Sequence, residues 1–155
     1  MPKVEPGAKV PQFSLPATGG DSWRLKDAAG RALVIYFYPK DMTSGCTRES
    51  QDFRDLHAAF RKAGAEIVGI SRDSVGSHEK FKAKEALPFT LLSDGNEEVC
   101  KLFDVIKEKS MYGRKYLGVE RSTFLIDPKG VLRQEWRKVK VPGHAEEVLE
   151  AAKSL

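Results

Sequence analysis

The stretch YFYPKDMTSGCTRES, residues 36–50, begins as a strand and ends as a helix. Tyr36 to Tyr38 close the run RALVIYFY (31–38), whose continuous apolar, aromatic and β-branched character predicts a strand buried on both faces. Beyond the join, TRESQDFRDLHAAFRKAG (47–64) puts Phe53, Leu56 and Phe60 on one helical face and ends on Gly64, suited to a C-cap. A proline and small polar residues crowd the join, and a thiol, Cys46, comes just after it. In parallel sheets, functional groups gather beyond the carboxyl ends of the strands. The changeover therefore predicts both a fold class and a place to look for chemistry.

Outward from this join the element types alternate. AEIVGISRD (65–73) reads as a second buried strand and HEKFKAKEAL (78–87) as a charged surface helix. LPFTLLSDG (87–95) holds a short strand and a turn, and NEEVCKLFDV (96–105) a helix with Asn96 as N-cap. STFLIDPKGVLRQEW (122–136) predicts a hairpin turning at Asp-Pro-Lys-Gly, and GHAEEVLEAAKSL (143–155) a closing amphipathic helix. Strand–helix alternation followed by a hairpin implies an α/β layered fold around a mixed sheet. No repeat, linker or low-complexity tract interrupts the 155 residues, so one domain over 1–155 is expected.

Composition narrows the classes of function. Hydrophobic residues make up 41% and charged residues 31%, ordinary for a soluble globular chain. No apolar run reaches membrane-spanning length, and the first residues, MPKVEPGAKVPQF, lack the apolar core of a secretory signal, so a cytoplasmic location is expected. The net charge of +4 comes from 26 basic residues interleaved with 22 acidic ones. Even the densest basic run, RQEWRKVK (133–140), alternates like a solvated strand, so no nucleic-acid partner is expected. There is no Walker loop and no GxGxxG, so neither nucleotide nor dinucleotide binding is supported. Two cysteines, Cys46 and Cys100, are too few for a disulfide scaffold or a zinc site. No metal or cofactor is expected.

Cys46 opens a helix, where backbone N–H groups lack partners and the helix dipole is positive. Both features favour the thiolate, which is the reactive form. Cys46, Phe53 and Phe60 are spaced by seven, so the sulfur points inward at the top of the core. Thr43 offers a hydroxyl three residues before it, Gly45 a bare N–H beside it, and Pro39 a wall that donates nothing. The competing interpretation of Cys46 is a packed core thiol, which its neighbours Thr43, Ser44, Gly45, Thr47 and Arg48 do not resemble. For Cys100, set among Val99, Leu102, Phe103 and Ile106, structural burial is the better reading. A Cys–His pair is also testable on paper. His57 lies eleven residues along the same predicted helix, about 16 Å away, too far to act as a base. His78 and His144 show no metal-ligand spacing, and all three histidines read as surface residues.

Pro39-x3-Thr43-x2-Cys46 matches the PxxxTxxC signature of peroxiredoxins, and FYPKDMTSGCTRES resembles their bacterioferritin comigratory protein, or peroxiredoxin Q, subfamily. The resemblance continues through GAKVPQFSL, GISRDS, LPFTLLSD, VCKLFDV and RSTFLIDPKG. It implies a thioredoxin-like fold with a central mixed sheet flanked by helices, and a thiol peroxidase. By resemblance Cys46 is the peroxidatic cysteine, Thr43 hydrogen-bonds peroxide and sulfur, and Pro39 shields the pocket. Arg121 matches the pocket arginine, and Glu49 matches an acidic position that orients it. The substrate implied is hydrogen peroxide or an organic hydroperoxide, and the chain is expected to be monomeric.

One departure matters. Many members carry a resolving cysteine five residues after the peroxidatic one, where this chain has Gln51; others carry it on the next helix, near Ala83 and Lys84. Cys100 remains, on an apolar face from which it reaches Cys46 only by local unfolding. One-cysteine behaviour is expected, with thioredoxin, glutaredoxin or a small thiol as external reductant. A thiol–disulfide oxidoreductase is the rival activity, but it wants Cys-x-x-Cys, and here the stretch is Cys46-Thr47-Arg48-Glu49. A holdase module is a third option, without an apolar stripe in the sequence to serve clients.

Overall fold

A computed structural model describes residues 4–155; the first three residues of the expected domain lie outside the described residues. Along the chain run β1 (Ser14–Pro16), β2 (Ser22–Arg24), β3 (Ala32–Phe37), α1 (Ser44–Asp55), α2 (His57–Lys62), β4 (Ala65–Ser71) and α3 (Val75–Glu85). There follow β5 (Thr90–Ser93), α4 (Glu98–Leu102), β6 (Ile106–Met111), β7 (Arg114–Val119), β8 (Ser122–Ile126), β9 (Leu132–Trp136) and α5 (His144–Lys153). The central sheet is ordered β5-β4-β3-β8-β9. β3, β4 and β5 are mutually parallel, β8 runs antiparallel to β3, and β9 runs antiparallel to β8. The mixed α/β sheet expected from the alternation of elements is what forms.

Side chains of a strand alternate between faces, and β3 separates two cores in this way. Leu33, Ile35 and Phe37 face one layer, with Leu15, Trp23, Val99, Cys100 and Phe103. Val34 and Tyr36 face the other, with Cys46 and Phe53 of α1, Phe60 of α2, Phe81 of α3, and Val148 and Leu149 of α5. Each fully buried large side chain of this kind contributes about 1.5–3 kcal/mol. Gly69 in β4 is required by this packing: a Cβ there would meet the Tyr36 ring at 2.8 Å and Leu91 at 2.9 Å.

The structure corrects several expectations. The helix read over 47–64 starts at Ser44 and breaks at Leu56 into α1 and α2, although no proline or glycine marks the break. Gly64 does follow the second helix with φ +80°, its N–H bonded to the Arg61 carbonyl at 2.9 Å. Asn96 does not cap α4. The preceding residue of that helix is Glu97, and the capping acceptor is Asp94, whose carboxylate takes the N–H groups of Val99 (3.3 Å) and Cys100 (2.6 Å). His78 and His144 are buried rather than superficial, because each is hydrogen-bonded inside the fold, to Asp41 and to Thr123 respectively. The β1–β2 ribbon and the β6–β7 hairpin had no counterpart in the sequence reading. No helix among the described residues is long and apolar enough to cross a membrane.

Candidate active site

β3 ends at Phe37, and the chain turns through Pro39 and Asp41 into α1. In α1 the inward positions are Cys46, Glu49, Ser50 and Phe53, the i, i+3, i+4, i+7 pattern of a buried helix face. Cys46 is 1% exposed. Because β8 runs antiparallel to β3, pairing Phe37 with Ser122, the start of β8 lies at the carboxyl end of β3. Arg121, which immediately precedes β8, is thereby brought to the loop that carries Cys46. Its carbonyl accepts the Val139 N–H at 3.0 Å, which anchors the backbone there.

The Arg121 guanidinium bridges two groups of α1. Nη2 lies 3.3 Å from Cys46 Sγ, and Nη1 donates to Glu49 Oε1 at 2.7 Å. A Cβ on Gly45 would sit 3.2 Å from Nη2, so the glycine leaves room for the arginine beside the sulfur. Glu49 is buried, and its second oxygen, Oε2, has no donor among the described residues. Burial pushes the Glu49 carboxyl up to about 7, against the opposing pull of Arg121. Arg121 itself is held above its ordinary range: burial works against this, and Glu49 and Cys46 outweigh it.

The amino end of α1 is left open. Thr47 N–H makes the first bond of the helix, to the Thr43 carbonyl at 2.9 Å, and the Thr43 side chain caps none of the N–H groups before it. The Thr43 hydroxyl instead donates to the Lys40 carbonyl at 2.8 Å, which leaves its oxygen as an acceptor. Thr43 is exposed, Pro39 half-buried. A second cation escaped sequence reasoning. Lys109, in β6, lies within electrostatic reach of Cys46 and Arg121; burial lowers its ammonium first, Arg121 lowers it further, and Cys46 opposes both. Its position depends on a hairpin that no sequence signal announced. Cys100, by contrast, is packed on the opposite face of the sheet.

The arginine fork and the unbonded helix amides set positive charge and free donors beside the buried sulfur, where an oxygen gathering negative charge would meet them. The AhpC/TSA family model matches residues 6–135. The chain belongs to the AhpC/TSA family. It is a peroxiredoxin of the bacterioferritin comigratory protein type, and so a thiol peroxidase of peroxide substrates with a thiol reductant. It is 58% identical to Peroxiredoxin Bcp of Xanthomonas campestris over 144 residues, covering 92% of this chain and 90% of the relative. Peroxiredoxin Bcp of Bacillus subtilis is 49% identical over 152 residues, covering 98% and 97%. Among solved structures, the peroxiredoxin superposes on the Xanthomonas campestris bacterioferritin comigratory protein with a TM-score of 0.88 and 56% identity, over 92% of this chain and 90% of the other. That protein is described for its alkyl peroxide reduction activity and a trapped intermediate/ligand complex. The peroxiredoxin fold is thioredoxin-like, as the resemblance implied.

Proposed function

We propose that the chain reduces hydrogen peroxide and organic hydroperoxides through Cys46 as a one-cysteine enzyme, with an external thiol completing the cycle. The observation that carries this is the Arg121 fork, 3.3 Å from Cys46 Sγ and 2.7 Å from Glu49 Oε1. The Cys46 thiolate attacks the terminal oxygen of the hydroperoxide. An S–O bond forms, the O–O bond breaks, and sulfur loses two electrons. The departing oxygen gathers negative charge and leaves as water or alcohol with a proton from solvent; the transferred oxygen keeps its hydrogen, so Cys46 becomes a sulfenic acid. Donors already aimed at developing charge lower such a barrier, and the losses when one is removed are on the order of 10²–10³-fold. Arg121 and the open N–H groups of Gly45 and Cys46 serve as those donors. The Thr43 oxygen accepts a hydrogen bond from the hydroperoxide O–H, Pro39 shields the pocket, and Glu49 orients the arginine. The alkyl peroxide activity described for the Xanthomonas campestris relative supports organic hydroperoxides as substrates.

The sulfenic acid is then attacked by an external thiol, from thioredoxin, glutaredoxin or a small thiol. A mixed disulfide forms and water leaves; a second thiol frees Cys46. Cys100 takes no part: it belongs to the other core, and burial followed by the Asp94 carboxylate raises its thiol well above the ordinary value. The enzyme acts as a single-domain cytoplasmic monomer. The test is peroxide consumption by the reduced protein with each reductant in turn. Consumption that vanishes in Cys46→Ser and persists in Cys100→Ser is expected. Equal consumption by wild type and Cys46→Ser overturns the proposal.

A further inference from the structure

The loop that carries Cys46 away from β3 is held at its midpoint by a buried polar knot. Asp41 is 5% exposed. Its Oδ1 accepts the Tyr38 hydroxyl at 2.6 Å, and its Oδ2 accepts the Ser77 hydroxyl at 2.8 Å and meets His78 Nδ1 at 2.7 Å. The Asp41 N–H donates to Asp73 Oδ2 at 2.9 Å, an oxygen that also accepts the Ser71 hydroxyl at 2.6 Å. His78, on α3, is fully buried, and its Nε2 lies 2.9 Å from the Leu92 carbonyl of β5.

A carbonyl only accepts hydrogen bonds, and so does an ionised carboxylate. Burial alone would raise the Asp41 carboxyl, but hydrogen bonds from His78 and Tyr38 outweigh it and hold the group below its ordinary value. Each nitrogen of the His78 ring therefore faces an oxygen, Asp41 Oδ2 at Nδ1 and the Leu92 carbonyl at Nε2. His78 is clasped between the Cys46 loop and β5. Both Asp41 oxygens and Asp73 Oδ2 are occupied by protein donors, so the cluster of Asp41, Asp73 and His78 is a hydrogen-bonded knot. Beside the knot, Met42 adopts φ 64°, a backbone conformation that a side-chain-bearing residue keeps only when its surroundings impose it.

We propose that His78 is a positioning residue for Cys46: its clasp on Asp41 latches the 38–43 loop to α3 and β5. Closed, the loop holds sulfur, helix amides and Arg121 in register for peroxide. Cys46 is 1% exposed, so the loop must yield before an outside thiol reaches a Cys46 sulfenic acid. The latch thus sets the two half-reactions against each other. This rests on the peroxidase reading above.

The experiment compares wild type, His78→Gln, Asp41→Asn and Tyr38→Phe. Three quantities are read: the single-turnover rate of Cys46 oxidation by hydrogen peroxide, the rate of sulfenic-acid reduction by thioredoxin, and the melting temperature. Small misplacements of a reacting group cost about 10²-fold, so His78→Gln and Asp41→Asn are expected to slow oxidation about 10–100-fold while quickening reduction. Tyr38→Phe moves both rates the same way by less, and serves if the other two fail to fold. Rates that both stay unchanged, or rates that both fall with the melting temperature, overturn the latch. If wild-type Cys46 ignores peroxide, the function falls instead. The latch is then judged by iodoacetamide alkylation of Cys46 and by hydrogen exchange at the Asp41 amide, both faster in the variants if it holds and unchanged if it does not.

Discussion

Cys46 and Cys100 are equally hidden, at 1% and 0% exposure, and each is the third residue of its helix. Their surroundings have opposite signs. At Cys46 the helix amides carry no side-chain cap, and a guanidinium lies 3.3 Å from the sulfur. At Cys100 the Asp94 carboxylate consumes the helix amides, including the Cys100 N–H at 2.6 Å, and after burial is the next cause that pushes the thiol up. Burial alone therefore does not separate the thiol proposed to react from the one proposed to be inert. The charge facing the sulfur does, together with whether the helix terminus has been spent on a cap.

The largest test of this contrast is the pair of serine variants. Cys46→Ser is expected to abolish peroxide turnover and Cys100→Ser to leave it unchanged, measured as peroxide loss with a small thiol. Next is the cation. Arg121→Met removes the fork and is expected to cut the second-order constant for peroxide by about 10²–10³-fold, at the scale of one lost charge-stabilising donor.

Glu49 gives a pH signature. Its carboxyl is pushed up to about 7 from an ordinary 4.5. A raised value favours the protonated folded state, so this contribution to stability is full below pH 4.5 and is lost as pH rises through about 7. Glu49→Gln removes the slope, on the order of 3 kcal/mol across that window, which denaturant titration at several pH values reads. Activity shows the converse. Ionised Glu49 grips Arg121 most firmly above pH 7, so Glu49→Gln is expected to match wild type near pH 5 and fall behind it above pH 7.

The smallest effect is on the inert side. Asp94→Ala frees the amides of α4 at a cost of about 1–2 kcal/mol in stability. Peroxide turnover stays unchanged, because Cys100 still lies in the other core.

The sequence disclosed those features that are local. The doubly buried run at β3 and the alternation after it required the mixed sheet, and Pro39, Thr43, Cys46 and Glu49 fall within eleven consecutive residues. Arg121 lies 75 residues from Cys46, and its place beside the sulfur follows from β8 running antiparallel to β3, a pairing that hydropathy does not encode. His78 was misread for the same reason: its partner Asp41 is 37 residues away, and without that partner a histidine among lysines and glutamates looks solvated. The β6–β7 hairpin was invisible because IKEKSM alternates charge rather than hydrophobicity. Asn96 gave way to Asp94 because a carboxylate reaching two amides satisfies the helix end better than the residue nearer in sequence.

The most direct measurement adds one equivalent of hydrogen peroxide to the reduced protein, with a sulfenic-acid trap present, and records the intact mass and the site of modification. The account predicts the gain of one oxygen, trapped at Cys46, with Cys100 still a free thiol. Loss of two hydrogens without trapping would contradict it, since the two cysteines would then have joined across the sheet that separates them.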